Sequence, residues 1–257
     1  MHQYFIDDSN QIVEIGKKVV LNPSDSHHLV NVLRAKQGKE LIVVYDQKKY
    51  LASYLKKKND YALLEIMSPL SETLSQTELP VEVVVACGLS KNDKMDSIVQ
   101  KATECGMSSF QPLALKRDVV KWDRKKAGKK VERLQKIADS AAEQSKRLKK
   151  VEVKQLLNLK DFVNQYRTHD IKLVAFEESA KEGQHHLLAK ILKNIEKNKK
   201  IVMVFGSEGG LEQQEVSFLV ENGFEICSLG PRILRAETAP IYLLSVLSYV
   251  TEIEREF

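Results

Sequence analysis

The 257-residue chain has little cysteine, with three residues, and a single tryptophan. Cys87, Cys105 and Cys227 stand far apart and form no C-x-x-C pair. This spacing supports neither a disulfide framework nor a zinc site, and it fits a reducing cytoplasm. Long apolar runs are missing as well. The most apolar stretch, "IYLLSVLSYV", has ten residues of which two are serine, and the opening "MHQYFIDDSN" lacks the basic-then-apolar order of a secretion signal. A cytoplasmic protein without export or a membrane span is expected. Neither G-x-x-x-x-G-K-[ST] nor G-x-G-x-x-G occurs. A P-loop and a dinucleotide fingerprint are therefore both unsupported, which argues against a nucleotide-dependent oxidoreductase.

What the chain does hold is 43% apolar residues, enough for one good core or two modest ones. Its net charge of +5 conceals an uneven distribution. Residues 116 to 150 carry 14 Lys or Arg against 5 Asp or Glu, a local net of +9, so the remainder sums to −4 (5 minus 9). A cluster of this kind suits a polyanion, because each neutralised phosphate releases counterions; a solvated, lysine-rich helix face is the other reading.

Up to about residue 70 the pattern is one of short strands, "IVEIGKKVVL", "KELIVVYD", "KYLASYLKK" and "DYALLEIMS", which predicts a small β-barrel or folded sheet. One helix interrupts it at "DSHHLVNVLRAKQG", with Ser24 or Ser26 as N-cap and Leu29, Val32 and Leu33 on one face. His27 and His28, adjacent on that helix, point in different directions and are read as structural, not as metal ligands. "SPLSETLSQTELP" at 68–80 has Ser, Thr or Pro at seven of thirteen positions and reads as a linker. Beyond it, buried strands ("VEVVVACGL", "SSFQPLAL", "IKLVAF", "IVMVF", "FEICSL") alternate with helices, including a long one at roughly 124 to 147. That alternation marks a mostly parallel sheet covered on both faces. Two domains are expected, 1–72 and 73–257.

In open α/β sheets ligands bind beyond the carboxyl ends of strands, so the strand-to-helix loops are the place to look for chemistry. "FGSEGGL" puts Gly206, Gly209 and Gly210 within five residues and adds Glu208. Its glycines allow close backbone approach, and its carboxylate suits a neutral or cationic ligand better than a phosphate. "LGPRILRAETAP" at 229–240 follows a strand and is broken by Pro231. Thr238 and Pro240 have the look of an N-cap with proline in the first turn. Arg232, Arg235 and Glu237 are left over from that structural account; they suit either an anionic group or an ordinary salt bridge.

The pair "FGSEGGLEQQE" and "SLGPRILRAETAP" resembles the C-terminal motifs of SPOUT-class methyltransferases, most closely the RsmE family of 16S rRNA uridine-N3 methyltransferases. "HLVNVLR", "SKNDKMDSIVQKATECGMSSFQPL" and "AAEQSKR" also match landmarks of that family, so the resemblance covers nearly the whole chain. It implies a PUA-like N-terminal barrel, a trefoil-knotted α/β domain and a homodimer. It places S-adenosylmethionine against Gly206, Glu208, Gly209, Leu229, Gly230, Ile233, Leu234 and Thr238. Arg235, Arg232 and Glu237 then become the catalytic candidates, since a uridine losing its N3 proton develops negative charge that wants a cation. No metal is required. Charge adds an RNA track of Arg117, Lys121, Arg124 and the following lysines, with Gln144 and Arg147; Arg34, Lys91 and Lys94 join it from the landmark segments. An enzyme of the same fold acting on transfer RNA and a catalytically silent RNA-binding protein are the competing readings. Two departures from the family pattern carry expectations of their own. Ser207 replaces a proline of the first loop and should loosen it, and Gln3 stands where an arginine is common, removing one RNA contact.

Overall fold

The computed structural model describes residues 1–70, 77–176 and 186–254, and the chain divides into two compact units. The expected linker at 68–80 falls largely outside the described residues. The first unit comprises Met1–Glu78 with Ala142–Lys149, and the second Leu79–Ala141 with Lys150–Phe257.

Among the described residues of the first unit are β1 (Gln3–Phe5), β2 (Lys18–Val20), β3 (Glu40–Tyr45), β4 (Lys48–Lys58) and β5 (Tyr61–Pro69), joined in the order β1-β3-β4-β5-β2. Only β1 pairs in parallel. Asp46 and Gln47 both take positive φ, the twist a two-residue hairpin needs to return β3 into β4. Tyr4, Leu21, Leu29, Leu41, Leu64 and Ile66 fill the core. The interrupting helix is shorter than expected. α1 (Pro23–His27) is capped by Asn22, whose Oδ1 accepts from the Asp25 N–H at 2.9 Å, and a π turn follows over His28–Val32. The N-cap is thus Asn22 and neither serine, because Pro23 can occupy the first helical position without forfeiting a bonded N–H. Widening to the π turn also rotates Val32 outwards, to 60% exposure, off the face it was expected to share with buried Leu29. His28 has a structural partner, its Nδ1 lying 3.0 Å from the Tyr4 hydroxyl.

The second unit is built on a parallel sheet in the order β12-β10-β11-β6-β7-β8, with β9 also on β7. Its strands are β6 (Glu82–Gly88), β7 (Ser109–Ala114), β8 (Glu152–Val153), β9 (Leu157–Asn158), β10 (Ile171–Ala175), β11 (Lys200–Phe205) and β12 (Glu225–Cys227). Alternate side chains of β6 and β11 enter two different cores. Val83, Val85, Cys87, Ile201, Met203 and Phe205 pack with α2 (Asn92–Glu104), α3 (Arg124–Gln144), α5 (His186–Lys193) and α7 (Ala239–Ser248). Val84, Ala86, Val202 and Val204 pack with α4 (Leu159–Tyr166) and α6 (Gln213–Glu221). Both faces of the sheet are covered, which is why these strands read as unbroken apolar runs. No described helix is long and apolar enough to cross a membrane.

Candidate active site

A cavity of about 520 Å³ opens in the second unit, beyond the carboxyl ends of β10, β11 and β12. Parallel strands deliver their loops to this edge, where ligands of open α/β sheets bind. Phe176, Phe205 and Cys227 supply apolar wall, and the two loops singled out from the sequence supply most of the rest.

The first loop leaves β11 at Gly206 and doubles back tightly. The Gly210 N–H donates to the Ser207 carbonyl at 2.9 Å, and the two residues form an isolated bridge. A methyl added at Gly206 would lie 2.8 Å from the Gly210 carbonyl carbon, and one at Gly209 would lie 2.4 Å from the Arg117 carbonyl oxygen. Glycine is therefore demanded here by close backbone approach. Ser207 does not loosen the loop, contrary to expectation. It is buried, and its hydroxyl donates to the Arg117 carbonyl at 3.1 Å, pinning the loop to the turn after β7.

That turn, residues 115–118, is held by two carboxylates. Asp118 accepts from the backbone N–H groups of Leu89 (3.0 Å) and Leu115 (2.8 Å). Buried Glu215 accepts from the Lys116 N–H at 2.9 Å and from the Glu212 N–H at 2.9 Å, the latter as half of the capping box that opens α6. Burial lifts the Asp118 carboxyl to about 6, against the opposing pull of the Leu115 N–H, the Ser207 hydroxyl and the Leu89 N–H.

The second loop runs from Ser228 to α7. Gly230 takes φ +107, and its N–H donates to the Ser228 hydroxyl at 3.3 Å. Leu229, Gly230, Ile233 and Leu234 line the cavity, as do Arg232, Arg235 and Glu237, and Ile233 is 78% exposed. Thr238 is not among the lining residues. It occupies the N-cap position in a helical conformation without a side-chain capping bond, so the N-cap expectation holds for its place and fails for its chemistry. Its backbone N–H is spent on the Arg235 carbonyl at 2.9 Å.

Charge is organised across the two loops. The Lys94 ammonium, from the first turn of α2, lies 3.3 Å from Glu208 Oε1 and 3.8 Å from Glu237 Oε2, while Arg235 reaches Glu237 at 4.0 Å. The Lys91 N–H adds a bond of 3.4 Å to Glu208 Oε1. Burial opposes ionisation of Glu208. The Ser90 hydroxyl, its own backbone N–H, the Lys91 N–H and Lys94 together outweigh that cost and hold its carboxyl below the ordinary value. Glu208 Oε2 and Glu237 Oε2 are buried atoms outside normal hydrogen-bond geometry. Two part-buried carboxylates with spare acceptor capacity suit a cationic ligand.

Sequence reasoning assigned Lys94 and Arg117 to an RNA track, whereas both line this cavity. No local signal could have paired Lys94 with carboxylates more than a hundred residues away. Arg34, Gln144 and Arg147 belong to the first unit, where Arg34 and Gln144 are exposed. Arg147 corrects the expectation. It is 3% exposed, it pairs with Glu78 at 2.5 Å, and its carbonyl accepts from Gln3 Nε2 at 2.7 Å. It is a buried structural residue, and Gln3 is its buried partner.

Residues 77–248 match the RNA methyltransferase domain family, and residues 21–67 match the RNA methyltransferase PUA domain. Fold and cavity thus define the class, a parallel-sheet RNA methyltransferase domain of SPOUT type preceded by a PUA-like unit. The chain belongs to the ribosomal RNA small subunit methyltransferase E family. It is 39% identical to the protein of that name from Bacillus subtilis (strain 168), with 99% of both chains covered. With its counterpart from Synechocystis sp. it shares 32% identity, over 94% of this chain and 76% of the relative. The crystal structure of a ribosomal RNA small subunit methyltransferase E from Neisseria gonorrhoeae, bound to S-adenosyl methionine, superimposes with a TM-score of 0.82 at 26% identity, covering 97% of this chain and 98% of that one.

Proposed function

We propose that this protein methylates N3 of one uridine in 16S ribosomal RNA, using S-adenosylmethionine, and that it works in the cytoplasm as a homodimer on the small ribosomal subunit. The observation that carries the reading is the cavity itself, in which two glycine-containing loops bring Glu208 and Glu237 into one lining. Gly206, Gly209, Leu229, Gly230, Ile233 and Leu234 would hold the donor by backbone approach and apolar contact, with Glu208 facing its positive charge. Thr238 would contribute through the turn it closes. S-adenosylmethionine supplies a methyl group already activated on sulfur, so the protein's task is to position and polarise.

Arg235 lines the cavity with its side chain 83% exposed, its guanidinium 4.0 Å from Glu237. In this reading its guanidinium meets the negative charge that grows on the uracil ring as N3 gives up its proton, and exposed Arg232 contacts the neighbouring phosphate. N3 lies on the pairing edge of the base, so the uridine must be unpaired or extruded to enter. The trefoil crossing implied by the family resemblance belongs to the same reading.

The test is methyl transfer from labelled S-adenosylmethionine to small subunits from cells lacking this protein, mapped by reverse transcription. We expect one new stop at a 16S uridine, lost in Arg235→Ala. Label appearing in transfer RNA, or no transfer despite donor binding, would overturn the assignment.

A further inference from the structure

We propose that Lys94 is a positioning residue that sets the charge of the carboxylate pair Glu208 and Glu237 in the cavity, and with it the preference for the positively charged methyl donor over the product whose sulfur is neutral. The inference rests on the reading of this cavity as the donor site. Lys94 leaves the first turn of α2, a helix fixed by the buried neighbours Met95, Ile98 and Val99. Its side chain is 30% exposed, and its ammonium stands between Glu208 of the first loop and Glu237 of the second. One cation thus joins two anions carried on separate elements. The triad keeps one net negative charge. Arg117, Arg232 and Arg235 also line the cavity, Arg235 reaching Glu237 only at 4.0 Å, but all three are exposed to water and their contribution is screened.

S-adenosylmethionine bears a sulfonium, an ammonium and a carboxylate, one net positive charge. Loss of the methyl group leaves S-adenosylhomocysteine, whose ammonium and carboxylate cancel. The part-buried cluster of Lys94, Glu208 and Glu237, with its one net negative charge, complements the donor and is indifferent to the product, which is specificity by charge difference rather than by shape. Glu208 Oε2 has no hydrogen bond and Glu237 Oε2 faces Lys94 only at 3.8 Å, so the negative charge is incompletely compensated. Lys94 moderates the field. Without it two carboxylates would act on the same cation, and the loops that carry them would lose their common tie.

The measurement is calorimetric affinity of the full chain for S-adenosylmethionine and for S-adenosylhomocysteine, expressed as a ratio. One unit charge removed at about 6 Å, through an effective dielectric of about 40, changes cation affinity about tenfold. Lys94→Met should therefore raise the donor-to-product ratio about tenfold, Glu208→Gln should lower it by a similar factor, and Lys94→Arg should hold it within about twofold. A purely structural Lys94 would weaken both ligands alike and leave the ratio unmoved in Lys94→Met, which would overturn the inference. Absence of binding of either ligand to the unaltered protein is a different result, and it would overturn the donor-site reading itself.

Discussion

At the scale of single residues, the first loop is governed by contacts too close for any side chain larger than hydrogen. In Gly209→Ala the new methyl group would meet the Arg117 carbonyl at 2.4 Å, and that carbonyl is already held by Ser207. Backbone must move, at a cost of about 1–3 kcal/mol, so donor affinity should fall about tenfold and the melting temperature should drop by roughly 2–10 °C. Ser207→Ala removes only the hydroxyl and should cost about 1 kcal/mol in urea unfolding. Asp118 supplies a pH dependence. Its folded value, about 6, lies above the ordinary 3.8 because burial penalises the anion. The folded protein therefore binds the proton more tightly, and the stability this group contributes at low pH is lost as pH rises from about 4 through about 6. Allowing for partial solvent access, the loss is of order 1 kcal/mol. Against Asp118→Asn, which cannot titrate, the unaltered protein should lose that much between pH 4.5 and pH 7.5 in urea midpoints. A constant difference would contradict the assigned shift.

At the scale of elements, the segment 142–149 shows why surface charge read from sequence misleads. Arg147 lies in a stretch rich in lysine, and its partner Glu78 is 69 residues away. Glu78 Oε1 also accepts from the Leu148 N–H at 2.9 Å, so the pair ties this segment into the first unit. Arg147→Met leaves Glu78 as a poorly compensated anion and should cost about 3–5 kcal/mol, whereas Arg147→Met combined with Glu78→Gln should recover a good part of it. A cycle with no recovery would deny the pair its role. The strands β6 and β11 were legible because both their faces are buried, and "FGSEGGL" because glycine crowding survives without any tertiary information. β8 and β9, of two residues each, are too short to show a period, and α4, which follows β9, went unread with them. The Lys94 triad needed three distant elements brought together, which no spacing rule reports.

At the scale of the whole molecule, the excess positive charge of residues 116–150 has been divided by the fold. Arg117 lines the cavity, Arg133 pairs with Asp96, Lys150 with Asp139, and Arg147 is buried. Lys121, Lys125 and Lys129 remain exposed close together in sequence, and on the proposed function they are among the lysines of the cluster that meet phosphate. Counterion release then makes a quantitative demand, since each phosphate contact contributes about 0.7 to 0.9 to the slope of log affinity against log salt. Replacing the three lysines by glutamine should flatten that slope for ribosomal RNA by about 2 to 3, while affinity for S-adenosylmethionine stays the same. A slope that does not change would return these lysines to the solvated-face reading that composition alone left open, and would shift RNA recognition to Arg232, Arg235 and the PUA-like unit.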